Sequence, residues 1–260
     1  MPGVSLVQGA HGGFARETGK NGTNFRLKDV YRMRHFYYND YHIKPQENDV
    51  SAMSSNKKIK ICGITAEQEI EYLAEAGVDY AGFVLFYPKS KRNISTRQAG
   101  ELLRCLPERI SPVAVTVSPS DEQLEAIERI GFAAVQIHGR IRDESIRRCP
   151  LPVIRAFNGG ELEAFSHYEQ MDPVVGFVLD AQVPGSGQAF DWSVVEQLPV
   201  TEKMLLLAGG LRPENVRDAL RMLGDRIDGV DTSSGVENDN GEGKSREKIL
   251  ALARAVRGIQ

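Results

Sequence analysis

Cysteine is scarce. With only three in 260 residues, a framework of disulfides holding a small secreted domain is excluded. Cys62, Cys105 and Cys149 are an odd number with no metal-ligand spacing, which argues for reduced thiols in a cytoplasmic setting and against a bound metal. Long apolar runs are also missing: none approaches the roughly 20 residues needed to span a bilayer, and the N-terminus lacks the short apolar core of a secretory signal. Nor is there an excess of one charge. A formal net charge of -3, with both signs interspersed, leaves no broad electrostatic footprint for nucleic acid, so a small anionic ligand would need a local positive site. Neither membrane nor nucleic acid is expected as a partner. What the chain does have is 41% apolar residues, enough for a sizeable core.

Residues 1–56 differ from the remainder. They carry glycine-rich pieces, the aromatic and basic cluster Tyr31-Arg32-Met33-Arg34-His35-Phe36-Tyr37-Tyr38, and a polar run. No stacking platform or module surrounds that cluster, so a disordered or vestigial extension is expected rather than a single-stranded nucleic-acid contact. Five acidic residues are too many for a transit peptide. Met53 lies just before the first strand and is a candidate for the true start of translation.

From Lys58 the chain alternates strand and helix patterns. Strands are expected at Lys58 to Cys62, Tyr80 to Phe86, Val113 to Val117, Ala133 to Ile137, Pro152 to Phe157, Val174 to Asp180, Met204 to Ala208 and Ile227 to Val230. Helices are expected at Ala66 to Ala76, Ser95 to Leu106, Ser120 to Ile130, Arg142 to Arg148, Glu161 to Gln170, Trp192 to Gln197, Pro213 to Leu223 and Lys244 to Val256. Thr65 and Gln68 have capping-box spacing. The stretch Glu237 to Gly243 reads as a mobile loop. Eight strand-helix units with short connections imply parallel strands and a single (β/α)8 TIM barrel over residues 57–260, with a doubly wound open sheet as the competitor. The echo of Gly82-Phe83-Val84-Leu85 in Gly176-Phe177-Val178-Leu179, four strands apart, agrees with a duplicated half-barrel.

In such a barrel the strand ends meet at one rim, where active sites are built. Parity puts Cys62 on a face with Lys60, His138 with Gln136, Asp180 with Val178 and Asp231 with Gly229, opposite Ile61, Ile137, Leu179 and Val230. Gly209-Gly210 after the seventh strand and Ser233-Ser234-Gly235 after the eighth are small residues where this fold holds phosphate. Lone cysteines are commonly core residues, but an ammonium at Lys60 would favour the Cys62 thiolate as base or nucleophile. Cys105 and Cys149 read as structural. Asp180, a carboxyl closing an apolar strand, fits a polar mouth and an acid role. Arg92 could grip a carboxylate through its planar fork, and His138 reads as a hydrogen-bonding group.

Six ordered motifs then converge. Lys60-Ile61-Cys62-Gly63-Ile64-Thr65, the Gly82-Phe83 strand with Ser90-Lys91-Arg92, Gln136-Ile137-His138-Gly139, Asp180 with Gly185-Ser186-Gly187 and Phe190-Asp191-Trp192, Ala208-Gly209-Gly210-Leu211 with Pro213-Glu214-Asn215-Val216, and Asp231-Thr232-Ser233-Ser234-Gly235-Val236-Glu237 resemble phosphoribosylanthranilate isomerase of tryptophan biosynthesis. The resemblance implies an Amadori rearrangement of a phosphosugar without a cofactor. Cys62 would be the base at C2 of the ribose and Asp180 the acid at the ring oxygen. Arg92 would hold the anthranilate carboxylate, His138 and Asp231 would face the substrate, and the glycine and serine turns would hold the phosphate. Ser90-Lys91-Arg92 departs from the family's frequent Ser-Pro-Arg, and residues 1–56 have no counterpart in it. Association with neighbouring tryptophan-pathway enzymes stays open. So do two rivals: a histidine-pathway aminoaldose isomerase, which would be expected to carry a carboxylate in place of Cys62, and a barrel that binds phosphosugar without turnover.

Overall fold

Alternate strand residues divide between two environments, and that division builds the molecule. The computed structural model describes residues 57–158, 162–180 and 192–258. Its strands are β1 (Lys58–Cys62), β2 (Tyr80–Val84), β3 (Ser111–Val117), β4 (Ala134–His138), β5 (Val153–Asn158), β6 (Val174–Asp180), β7 (Met204–Ala208) and β8 (Gly229–Thr232). They pair in sequence order, all parallel, and β8 pairs back onto β1 to close the barrel. Closure excludes the open-sheet alternative. The helices are α1 (Glu67–Ala76), α2 (Thr96–Cys105), α3 (Asp121–Ile130), α4 (Asp143–Arg147), α5 (Phe165–Glu169), α6 (Val216–Leu223) and α7 (Arg246–Arg257). The expected N-terminal extension, the glycine-serine loop after Asp180 and the Phe190-Asp191 part of its motif lie outside the described residues.

Outward-facing Ile59, Ile61, Phe83, Ile137, Leu179 and Leu207 belong to one apolar cluster with the helix residues Leu73, Leu124, Ile127, Val216 and Leu252. Inward-facing Lys60, Gln136 and Asp231 are equally buried, but inside the barrel. This is the parity expected from the sequence. The four-residue echo behaves alike in its two places: Phe83 and Phe177 are both fully buried on the outer face. Around β5 and β6 the outer layer is aromatic. Phe157 stacks on Phe177 at 5.8 Å, and Phe165 from α5 closes on Phe177 at 4.4 Å.

Several element ends differ from expectation, each for a local reason. The cap of α1 is not the Thr65 and Gln68 pair. The first helix instead starts at Glu67, and Glu69 Oε2 accepts the N–H groups of Thr65 and Ala66 at 2.6 and 3.1 Å. β2 stops at Val84 because Phe86 turns to a left-handed φ of 57°. α6 begins at Val216, not at Pro213, because the Asn215 side chain closes a turn: Oδ1 accepts from Arg212 N and Nδ2 donates to Gly210 O. Trp192–Gln197 is a 3-10 helix. Cys105, expected to be structural, is exposed at the end of α2. At the opposite end of the barrel, Asp79 and Asp228 precede β2 and β8 and accept the N–H groups of Ile59 and Leu205 at 2.9 and 2.7 Å, which fixes strand register. Among the described residues no helix is long and apolar enough to cross a membrane.

The aromatic cluster sets a stability expectation. Phe177→Ala removes the ring that both Phe157 and Phe165 pack on, so it should lower the unfolding free energy by about 3–5 kcal/mol in urea titrations. A loss below about 1 kcal/mol would mean that the cluster is loosely packed.

Candidate active site

A buried ion pair forms the floor of the site. Lys60 Nζ on β1 donates to Asp231 Oδ2 on β8 at 2.8 Å, with the two side chains 0% and 6% exposed. Burial opposes the Lys60 charge, yet the adjacent Asp231 carboxylate and Cys62 carry its pKa upward. Burial likewise pushes the Asp231 carboxyl up against the pull of Lys60. We take the 2.8 Å contact between two enclosed partners as an ion pair, since the raised Lys60 pKa keeps the ammonium charged and that charge in turn favours the Asp231 carboxylate. Across the barrel, Gln136 Nε2 lies 2.9 Å from His138 Nε2, both on β4. Burial, then the charges of Lys60 and Arg155, lower His138 to about 4, so its ring is neutral near pH 7. Among the described residues, Asp231 Oδ1 and Gln136 Oε1 are buried oxygens with no hydrogen-bond partner.

Cys62 stands two residues beyond Lys60 on the same face. Gly82 on β2 makes the room, because a Cβ there would come within 3.0 Å of Cys62 Sγ and 3.1 Å of Lys60 Nζ. Lys60 pulls the Cys62 pKa down, as the sequence suggests, but it does not act alone. Burial raises the Cys62 pKa, and although Lys60, Lys244 and Arg92 all pull it down, the net direction is up. The protein therefore holds a thiol whose anion has three cations to stabilise it.

Asp180 ends β6, partly exposed, on the inward parity of Val178. Two strands, β7 and β8, separate it from Cys62 along the shorter arc. The turns after those two strands are the small-residue pair expected to hold phosphate, and the structure brings them together. A Cβ on Gly235 would lie 1.9 Å from Leu211 O, and Thr232 Oγ1 donates to the same carbonyl at 2.6 Å. Gly209 and Gly210 both take left-handed φ values, 86° and 64°, and Ser234 is exposed. Ser233 is different: its hydroxyl donates to Cys62 O at 2.8 Å, tying the β8 turn to the end of β1.

Two residues that sequence reasoning gave no role complete the rim. The stretch Glu237 to Gly243, expected to be mobile, is anchored at both ends: Glu237 and Lys244 form an antiparallel bridge, and Lys91 Nζ donates to Gly241 O at 2.6 Å. Lys244, with 1% of its side chain exposed, donates to Ser233 O at 3.0 Å and to Ser233 Oγ at 3.2 Å. Its own N–H reaches Glu69 Oε1 of α1 at 2.7 Å. Glu237 takes Arg92 Nε at 2.5 Å and Lys91 Nζ at 2.9 Å. The signal available in the sequence was the position of Glu237, at the end of the motif that begins with Asp231.

The neutral His138 has a consequence for stability. Its pKa falls from an ordinary 6.5 to about 4 in the folded chain, so stability is complete above pH 6.5 and is lost as pH falls through 4. Up to about 3 kcal/mol hangs on this group, at about 1.4 kcal/mol per pKa unit. Unfolding free energy measured from pH 7 to 4 should fall more steeply for the wild type than for His138→Asn. Equal slopes would show that the ring is not held neutral.

Comparison with known proteins agrees with this geometry. Residues 59–255 match the family model described as N-(5'phosphoribosyl)anthranilate (PRA) isomerase. A curated N-(5'-phosphoribosyl)anthranilate isomerase of Streptococcus pneumoniae (strain Hungary19A-6) is 36% identical over 77% of this chain and 96% of its own length. The crystal structure of phosphoribosyl anthranilate isomerase from Thermotoga maritima superposes with a TM-score of 0.67 at 34% identity, covering 78% of this chain and 99% of that one. Another crystal structure, a phosphoribosyl anthranilate isomerase in complex with reduced 1-(o-carboxyphenylamino)-1-deoxyribulose 5-phosphate, gives 0.65 at 33% identity, covering 78% of this chain and 99% of that one. The chain belongs to the N-(5'-phosphoribosyl)anthranilate isomerase family, the isomerases of tryptophan biosynthesis.

Proposed function

We propose that Cys62 and Asp180 are the general base and general acid of the Amadori rearrangement of N-(5'-phosphoribosyl)anthranilate to 1-(2-carboxyphenylamino)-1-deoxyribulose 5-phosphate. Asp180 gives its proton to the ribose ring oxygen as the bond from that oxygen to C1 breaks, and the anthranilate nitrogen supplies the electrons that form a C1=N iminium. Cys62, as thiolate, takes the proton from C2. The C2–H electrons form the C1=C2 bond and return the C=N pair to nitrogen. Tautomerisation of the enol, with a proton delivered to C1, yields the ketose. Nitrogen gives its lone pair to C1 as the ring opens and takes a pair back when C2 is deprotonated, so the substrate supplies its own electron relay and the route draws on no cofactor.

The observation that carries this reading is the order round the rim. The acid on β6 and the base on β1 flank the two anion-suited turns of β7 and β8. A phosphate held at Gly209, Gly210, Ser234 and Gly235 leaves the ribose to reach over Asp231 and His138. The buried oxygens Asp231 Oδ1 and Gln136 Oε1 offer acceptors to sugar hydroxyls. Ser233 serves through its backbone and by fixing Cys62, since its hydroxyl is already engaged. Arg92, on the loop after β2, takes the anthranilate carboxylate. A raised Cys62 pKa fits a base that ionises against Lys60, Lys244 and Arg92. Three free thiols and a small anionic phosphosugar substrate fit a cytoplasmic enzyme, one open to association with neighbouring pathway enzymes.

Turnover of phosphoribosylanthranilate generated in situ tests the assignment. Cys62→Ser and Asp180→Asn should each lower kcat on the order of a hundredfold or more, with both variants folded by circular dichroism. Wild-type turnover in both variants would refute the roles. A wild-type chain without turnover would favour the non-catalytic rival.

A further inference from the structure

Glu237 stands among three cations at the rim, and the reaction as described gives it nothing to do. Only 7% of the residue is exposed. Oε1 accepts Arg92 Nε at 2.5 Å and lies 3.5 Å from Lys244 Nζ, while Oε2 accepts Lys91 Nζ at 2.9 Å. Burial works against its charge, but hydrogen bonds from Arg92 and Lys91 hold the carboxyl down at about 2. Its backbone is equally fixed: Glu237 N donates to Ser234 O at 3.1 Å, and Lys248 Nζ donates to Glu237 O at 2.8 Å. A carboxylate this constrained is a poor proton carrier and a good anchor.

What it anchors is the guanidinium. The Arg92 stem crosses the turn after β1, where a Cβ on Gly63 would lie 2.3 Å from Arg92 Cδ. Gly63 also has a left-handed φ of 82°, so glycine is required there twice over. Of the five N–H donors of the Arg92 fork, only the one on Nε has a hydrogen-bond partner among the described residues. With Nε engaged from one side, the edge made by the two Nη groups is left for a planar carboxylate.

We propose that Glu237 is a positioning residue for Arg92, fixing its guanidinium so that the Nη edge meets the substrate carboxylate. This rests on the reading of Arg92 as the carboxylate-binding group. Glu237 and Arg92 are far apart in the chain, so the contact also locks the β2 loop to the β8 loop beside Cys62. Removing the Glu237 charge has two opposed effects. It adds positive potential, which alone would tighten anion binding, but the Arg92 side chain is 25% exposed and salt screens part of that gain. It also frees a long side chain to leave its working geometry, and misplacement by about 1 Å can cost as much as a hundredfold. Misplacement is the larger effect, so binding weakens.

The test is a double-mutant cycle of kcat and KM for phosphoribosylanthranilate in Glu237→Gln, Arg92→Met and the double variant. Glu237→Gln should raise KM on the order of tenfold and leave kcat within about threefold of wild type. Glu237→Asp, one methylene short, should fall between the two, and it replaces Gln in the cycle if that variant does not fold. Arg92→Met should raise KM at least as much as Glu237→Gln, and the double variant should be no worse than Arg92→Met alone. An unchanged KM in Arg92→Met would overturn the carboxylate reading itself. A raised KM in Arg92→Met with an unchanged or lowered KM in Glu237→Gln would overturn the role of Glu237 alone. Multiplicative effects in the double variant would also overturn it, by showing that Glu237 acts independently of Arg92.

Discussion

The site depends on an ion pair placed where ions are costly. Lys60 and Asp231 meet at 2.8 Å inside the barrel with almost no exposure. Two charges in such a place stabilise each other only as a pair, and removing one partner costs about 3–5 kcal/mol because the other is left uncompensated. A pair of well-packed apolar residues would serve stability as well or better. What the ions supply is an electrostatic floor: an ammonium under Cys62, and a carboxylate with one buried oxygen that has no hydrogen-bond partner among the described residues.

The other parts of the site follow from that floor. Gly82 is the wall that gives Lys60 and Cys62 their volume, and a methyl group there would press on both. His138 is neutral partly because Lys60 is charged. Lys244 adds a second cation near Cys62, held by Ser233 and by Glu69 of α1, so the first and last strand-helix units of the barrel share one polar seam. The outer layer has a different task. Ile59, Ile61 and Val230 on β1 and β8 bury their side chains against the helices, and the strands beneath the ion pair are thereby held in register.

Much of this was legible in the sequence because its causes are local. Period-two alternation separated Lys60 and Cys62 from Ile59 and Ile61, and strand-helix repetition counted out the barrel. The rim residues followed from strand ends, which need no knowledge of distant contacts. The misplaced parts are those set by partners far along the chain. Glu69 looked like one of several acidic residues in a first turn, yet it also receives Lys244 N from 175 positions away. The polar stretch after Glu237 has the composition of a mobile loop, and the Glu237–Lys244 bridge and the Lys91 contact with Gly241 show that it is tied down. Ser233 carried the right residue type for an anion turn, but its hydroxyl is taken by Cys62 O. Lys60 was placed correctly and pulls in the expected direction, but the opposing burial of the thiol cannot be read from a strand pattern.

The claim that the buried pair governs the reactive thiol is tested most directly by the ionisation of Cys62. In a background of Cys105→Ser and Cys149→Ser, the pH dependence of its alkylation gives the pKa for the wild-type pair and for Lys60→Met/Asp231→Leu, which removes both charges together. The Cys62 pKa should lie above the ordinary 9.0 with the pair present, because burial dominates. It should rise further without the pair, because the pull of Lys60 exceeds the push of Asp231. A thiol that ionises near neutral pH, or one whose pKa does not move when the pair is removed, would contradict the account.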